Sequence, residues 1–150
     1  MSDDIAVQSA LRAALAADSG VVALVGARIW DEVPDALPGG EATLPCIVLA
    51  DSRTENLTAG SADCGAMTAV ETDILIYSRP SDTGGEPGSA EAKRIAWAIR
   101  RALADASALS AAGWIFTLQQ WLRADFRREG DDRKTFVGTV VVRTHIVEDT

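Results

Sequence analysis

Two carboxylates, Glu71 and Asp73, stand two residues apart in a segment that alternates apolar and polar side chains. On a β-strand, residues at this spacing share one face and lie roughly 6–7 Å apart. Such a pair suits acid–base chemistry or the binding of a hard cation. It also suits the wall of a channel that does not retain DNA, because like charges repel phosphate. The same segment contains no further acid, so the pattern favours a solvated strand face.

His145 is the only histidine in the sequence, which excludes any site that needs two. Its neighbours in sequence offer no orienting partner for a catalytic base, so we predict a surface or edge histidine. Two cysteines are too few for a disulfide framework or for a cysteine-built zinc site. We predict that Cys46, in an apolar strand, is inert, and that Cys64, in a polar loop, is the more reactive thiol.

The sequence also lacks the motifs of several common enzyme classes. It contains no Gly-x-Ser-x-Gly elbow, no Gly-x-x-x-x-Gly-Lys-Ser/Thr loop and no Gly-x-Gly-x-x-Gly turn. Their absence excludes much common catalytic chemistry, and we predict no catalytic residue, no metal and no cofactor.

A cluster of charges marks the turn between the last two predicted strands. Its basic members are Arg127, Arg128, Arg133 and Lys134, and the acids among them are Glu129, Asp131 and Asp132. The basic side chains would attract phosphate, but the acids would cancel most of that attraction. Such a mixed cluster suits a protein partner, or no partner at all, and we predict a contact with a partner or a neighbouring subunit at this cluster and at Glu71 and Asp73.

The chain as a whole is acidic. Its 150 residues include 14 Lys and Arg against 22 Asp and Glu, a net charge of −8. Residues 1–90 carry 4 basic and 14 acidic side chains (−10), whereas residues 91–150 carry 10 basic and 8 acidic ones (+2). A nucleic-acid-binding domain is usually basic overall, so this class is disfavoured. We expect a molecule with two electrostatically different ends.

No run of eighteen apolar residues is present, and the first four residues are acidic rather than basic and apolar. We therefore expect no membrane span and no secretion signal, with a location in the cytoplasm of the producing cell.

Apolar periodicity and turn residues predict two helices and four strands. The first part of the chain is predicted to form a helix over 2–17 that stops at Ser19-Gly20, a short turn over 21–25, an extended piece over 28–30 and an irregular stretch over 31–43. Two strands follow, over 45–50 and 66–78, and they are joined by a loop over 51–65. A loop over 79–89 then leads to a helix over 89–105 and to the last two strands, over 114–126 and 136–147. We predict that the loops over 51–65 and 79–89 are disordered in the monomer and become ordered on docking.

These elements predict a single α+β domain over residues 1–150. Its four-stranded, mainly antiparallel sheet carries two helices on one face, in the order α-β-β-α-β-β, and ends in a long β-hairpin. In the second helix, Glu91 is predicted to point away from the apolar stripe, and Ser89 is predicted to cap the first turn. The four tryptophans are predicted to pack in the core or between subunits: Trp30, Trp97, Trp114 and Trp121.

Several stretches, taken in order, resemble one protein family. They are Ala23 to Trp30 after an alanine-rich helix, Val33-Pro34, Leu44 to Leu49, Ala90 to Ile95 at the start of a helix, and a closing strand after a polar hairpin. Together they resemble the tail-completion, or tail-terminator, proteins of long-tailed phages and gene transfer agents over nearly the whole chain. Cys46 departs from the pattern, because relatives commonly place an aromatic residue after the proline.

The resemblance implies a non-enzymatic protein that forms a ring, usually of six subunits, on the head-proximal end of the tail tube. It implies that the ring stops tube polymerisation and joins the tail to the head connector, and that DNA passes through without specific binding. The implied partners are copies of the chain itself, the tail tube protein and the connector, in a phage-like particle assembled in the bacterial cytoplasm.

Other function classes stay open at the level of sequence. One is a ferredoxin-like adaptor that works as a monomer or dimer, and another is an enzyme that uses Glu71 and Asp73. A different tail-assembly protein, such as a head–tail connector or a tube protein, is the nearest rival to the terminator.

Overall fold

The helices and strands follow the predicted order, with two additions. The computed structural model describes residues 1–31, 44–57, 67–79, 88–129 and 135–149, with backbone alone at Glu129 and Thr135. Within these residues the elements are α1 (Asp3–Ala17), α2 (Ser19–Val25), β1 (Ile29–Trp30), β2 (Cys46–Asn56), β3 (Met67–Tyr77), α3 (Ser89–Ala102), a 3-10 turn (Ala106–Ala108), β4 (Trp114–Glu129) and β5 (Thr135–Glu148).

The described strands form one five-stranded sheet in the order β1-β2-β3-β5-β4, rather than the four-stranded sheet predicted. The added strand is β1, which pairs parallel to β2 through Ile29 with Ile47 and Trp30 with Val48. The amide of Ile47 donates to the carbonyl of Arg28 at 3.0 Å. A strand of two residues is too short to show alternation, which explains why the sequence predicts only an extended piece there. All other strand pairs are antiparallel.

Helix α1 ends, and the chain changes direction, at Asp18 and not at Ser19-Gly20 as predicted. Asp18 is extended (φ −82°, ψ 120°), and its carboxylate accepts a 3.0 Å hydrogen bond from the amide of Val21. Because an aspartate in this position satisfies a free amide, it starts a second helix, and Gly20 lies inside that helix. The chain bends by 82° between the two helices. No single described helix is long and apolar enough to cross a membrane.

The loop predicted over 51–65 is wrong for its first part, since β2 continues to Asn56. Beyond Val48, β2 is no longer paired with β1, so this part of β2 forms an edge of the sheet among the described residues. An edge strand tolerates polar side chains on both faces, so its sequence reads like a loop. Residues 58–66 and 80–87 lie outside the described residues. Cys64 and most of the two loops predicted to be disordered, 51–65 and 79–89, therefore lie outside them as well.

Three helices cover one face of the sheet, where two were predicted. α1 lies mainly over β1, β2 and β3, and α3 lies over β3, β5 and β4. The predicted apolar faces of β3, β5 and α3 are confirmed as core, with Val70, Ile74, Ile76, Val140, Val142, Ile146, Ile95 and Ile99 all buried. Gly138 also lies on this face. A glycine fits there because a Cβ atom would lie 2.9 Å from the Phe126 ring.

Glu91 is buried at the start of α3, so its predicted outward orientation is wrong. Its carboxylate accepts hydrogen bonds from the backbone amide of Arg79 at 2.7 Å and from the Nε of Arg79 at 2.6 Å. Because a buried carboxylate needs such partners, this pair fixes the end of β3 against the first turn of α3. The predicted Ser89 cap is also wrong, since Gly88 precedes the helix with φ 75° and no side chain caps it.

The adjacent valines of α2 allow a matched test of core packing. Val21 is fully buried, whereas Val22 is 41% exposed. We expect Val21→Ala to lower the free energy of unfolding by about 2 kcal/mol, because it removes two buried methyl groups and leaves a cavity. We expect Val22→Ala to change it by less than about 0.5 kcal/mol in urea denaturation. Equal effects of the two substitutions would contradict this assignment of the core face.

Candidate functional site

The face of the sheet that the helices leave uncovered carries the predicted carboxylates. We call it the open face, defined by Arg53 and Glu55 of β2, Glu71 and Asp73 of β3, and Arg143 and His145 of β5. The strand register places Glu71 opposite Arg53 on one side and opposite Arg143 on the other. Cross-strand neighbours of opposite charge attract each other, so the predicted carboxylate pair is embedded among arginines.

Asp73 is held by a two-pronged contact from Arg53. The two terminal nitrogens of the guanidinium donate to the two carboxylate oxygens at 3.2 and 2.9 Å. This parallel geometry is the strongest that an arginine and a carboxylate form. The hydrogen bond to Asp73 also raises the pKa of Arg53. A carboxylate occupied in this way is a poor general base and a poor cation ligand.

Arg143 joins three side chains of the open face. Its Nη1 lies 3.6 Å from Glu71, and its Nη2 donates to Glu55 at 3.3 Å. Its Nε donates to Nε2 of His145 at 3.2 Å. Burial, and after it the charge of Arg143, lowers the pKa of His145, which keeps the ring neutral and able to accept. His145 therefore serves in a structural network. It is half-buried on the open face of the inner strand β5, so of the predicted surface or edge position it has the first and not the second.

These contacts leave the open face without a site for acid–base or metal chemistry among the residues that the structure describes. No group of three or more His, Cys, Asp or Glu side chains lies close enough there to hold a metal ion. Below the charged network lie small and β-branched side chains that are buried: Cys46, Val48, Ala69, Val137 and Val141. Burial raises the pKa of Cys46 to about 12, as expected for an inert thiol.

Of the predicted basic cluster the structure describes Arg127 and Arg128, and it does not bring these two together on one face. Arg127 lies opposite the buried Val137, and Arg128 lies opposite Phe136, so these adjacent arginines project from opposite faces of the sheet. The guanidinium of Arg128 stacks over the Phe136 ring at 5.3 Å. Arg133 and Lys134 lie outside the described residues.

The sequence did not single out a contact between aromatic rings and an arginine on the helix side. The Arg100 guanidinium lies 5.5 Å from the ring centre of Trp97 and 4.8 Å from that of Trp121. Trp97 is nevertheless 56% exposed. It borders a groove of about 440 Å³ between α2 and α3 that Arg94 and Arg101 also line. The spacing of Trp97 and Arg100 on one helix face was the signal available in the sequence.

A second groove of about 610 Å³ runs between α1 and β1, at the other edge of the sheet. Its apolar walls are Ile5, Ala13, Ala16, Ala27 and Ile29. Its polar lining includes Arg12 and Asp31, whose Nε and Oδ1 atoms are 3.7 Å apart. The two grooves therefore lie against different helices and differ in lining.

Comparison with known proteins gives a family and a structural counterpart that covers nearly the whole chain. A family model described as "Tail completion protein gp17" matches residues 9–147. A chain of the structure titled "Virion of native gene transfer agent (GTA) particle" matches with a TM-score of 0.72 and 25% identity, over 95% of each chain. No curated protein matches.

The charge network predicts how the chain responds to pH. Since the pKa of His145 is lowered on folding, the unfolded chain binds its proton more readily than the folded chain. The contribution of His145 to stability is therefore lost below the folded pKa and recovered as pH rises to its ordinary value of 6.5. We expect His145→Gln to remove this pH-dependent step from urea denaturation curves.

Nuclear magnetic resonance titration of the imidazole checks the cause. We expect a midpoint below 6.5 that rises part of the way in Arg143→Gln, because burial remains, and that stays in place in the control Arg53→Gln. A wild-type midpoint above 6.5 would contradict the described geometry.

Proposed function

The chain belongs to the family of Tail completion protein gp17, and from this premise we propose that it terminates the tail tube of a phage-like particle. The family and the virion match indicate a structural role in the tail and a location in the particle. The observation that carries the proposal is the extent of the match, which spans 95% of this chain and of a virion chain. The whole domain, rather than one motif, thus has a counterpart in an assembled particle.

We propose that copies of the chain close into a ring, of six subunits in the form that the family resemblance implies. A closed ring needs two different and complementary surfaces on each subunit, because the contact is head-to-tail. The two edges of the described sheet differ in this way: β1 has two residues, whereas β4 has sixteen. This difference supports a heterologous contact rather than a two-fold one.

In this proposal the ring occupies the head-proximal end of the tube, stops its growth and presents a surface to the head connector. A subunit that stops growth needs an edge on which strands do not add without limit. β4 lies at an edge of the described sheet, and its register with β5 shifts between Phe116 and Leu118 and between Trp121 and Arg123. Such bulges twist an edge strand and discourage continued pairing, which supports a terminating role.

We further propose that DNA passes the ring without being bound specifically. Glu71 and Asp73 are neutralised by Arg143 and Arg53, so the open face neither attracts phosphate strongly nor offers free carboxylates. The same pairing is the reason to prefer a structural role over an enzyme that uses these two residues. A head–tail connector, a different tail-assembly protein and a monomeric or dimeric adaptor are the alternatives that the following experiment separates.

The oligomeric state of the purified full chain tests the proposal. We expect closed rings in negative-stain electron microscopy and a single high-order mass, near six subunits, in native mass spectrometry. Addition of these rings to growing tail tubes is expected to fix tube length. A strictly monomeric or dimeric protein that leaves tube length unchanged would overturn the terminator and favour the adaptor.

Charge reversal at the hairpin checks the predicted partner contact. We expect Arg127→Glu combined with Arg128→Glu to weaken ring or tube association, because two cations near one end of the sheet become anions. The single variants separate the two faces, since these side chains project from opposite sides of β4. Arg123→Glu, on the same strand, is the control for the change in net charge. Unchanged oligomer mass and tail length in the double variant would count against the contact.

A further inference from the structure

Trp97 is a large apolar side chain that the fold leaves accessible. It is 56% exposed on α3, although most large apolar side chains of this helix are buried. Exposed tryptophans flanked by arginines are typical of the energetically dominant centres of protein interfaces. Three arginines surround it: Arg100 stacks on the ring, and Arg94 and Arg101 line the adjoining groove. The surface formed by these four residues, which we call the tryptophan knob, is therefore apolar at its centre and basic around it.

The groove between α1 and β1 has the complementary character. Its walls of alanine and isoleucine are apolar, and its volume of about 610 Å³ is ample for an indole ring. Ile5, on its rim, is 53% exposed, so the groove has accessible apolar surface to cover. Small residues on a helix allow a large side chain to approach closely, as the alanines of α1 do here.

Acidic groups accompany this groove. Asp31 lines it, and its Oδ1 atom has no hydrogen-bond partner and only a long ion pair of 3.7 Å with Arg12. Asp3 and Asp4 stand in the first turn of α1, immediately before Ile5. A hydrogen bond from Ser2 lowers the pKa of Asp4, which keeps it ionised. Arg12 and Asp31 form an ion pair in the lining, and Asp3 and Asp4 beside it make the surroundings of this groove acidic on balance. The surroundings of Trp97 are basic on balance, with Asp18 as the one acid in the described lining of its groove.

The two surfaces cannot meet within one copy. The knob lies on α3, where Arg100 also contacts Trp121 of β4, and the groove lies beside β1 at the opposite edge of the sheet. Four strand spacings of about 4.8 Å separate these edges, roughly 19 Å in all. Complementary surfaces on opposite edges of one subunit are what a head-to-tail contact between copies requires.

We propose that Trp97 of one copy inserts into the groove between α1 and β1 of a neighbouring copy, with its arginines facing the acidic groups there. This inference rests on the proposed ring and identifies the contact that closes it. The occupant is a second copy of this chain, because the groove and the knob are complementary in both shape and charge.

Disulfide trapping between two different variants tests the contact. Cysteines are placed at Arg101→Cys in one chain and Ile5→Cys in another chain of different tag length, both in a Cys64→Ser background, so that Trp97 stays in place. On mild oxidation of the mixed, assembled proteins we expect the disulfide between positions 101 and 5 to exceed that between two copies of position 101 about tenfold. Ile115→Cys, at a residue that is also exposed (46%), replaces Arg101→Cys in the control mixture. Trapping at position 101 no greater than at position 115 would overturn the inference.

Loss of affinity provides the second measurement. We expect Trp97→Ala to weaken ring assembly by about thirtyfold, the effect of removing an interface centre of this kind. Ile115→Ala is expected to change it by less than about twofold. Because Trp97 is exposed in the monomer, its removal should leave the urea midpoint nearly unchanged. A Trp97→Ala ring of unaltered stability that no longer joins a tail tube would assign the knob to another virion protein and overturn the inference.

The outcomes distinguish the inference from the function on which it rests. If the wild-type chain forms rings but positions 101 and 5 are not trapped, the knob contact is wrong and the proposed terminator stands. If the wild-type chain neither forms rings nor acts on tubes, and no trapping occurs, both are wrong.

Discussion

Burial of one face of the sheet beneath the three helices is the constraint on which the other features depend. The alternating apolar side chains of β3 and β5, among them Ile74 and Val142, are removed from water only if α1 and α3 cover them. Because the helices pack on that face, the opposite face of the sheet has no helical cover. The same packing places the helices side by side, which creates one groove beside β1 and another between α2 and α3.

On the open face, which has no second apolar layer packed on it among the described residues, the charged side chains are paired. Its arginines and carboxylates lie across three strands. Arg53–Asp73 and Arg143–Glu71 each join neighbouring strands, and Arg143–Glu55 spans β3 to join β5 to β2. Exposed pairs of this kind contribute little stability singly, and their value lies in register and specificity. A face that is charged, but largely neutral through pairing, is also a poor surface for aggregation or for phosphate. These properties suit a component that must assemble at its edges and stay inert elsewhere.

The edges are where the structure departs most from a self-contained globular domain. β1 contributes two residues to one edge and β4 contributes sixteen to the other, among the strands described. The exposed Trp97 and the acidic, alanine-lined groove lie on the helix side toward these two different edges. This contrast between the two edges supports the proposed role in assembly.

The sequence by itself determined the order of the two long helices and the four long strands, the core faces of β3, β5 and α3, the burial of Cys46 and the resemblance to the family, because local periodicity and composition encode them. Only tertiary structure decided the rest. β1 and the outer half of β2 are strands because of their neighbours, and Glu91 is buried because Arg79 reaches it from another element. Arg53 and Arg143 neutralise Glu71 and Asp73 across strands, a pairing set by register between distant segments. Contacts between residues far apart in the chain leave no local pattern, so only the folded structure reveals them.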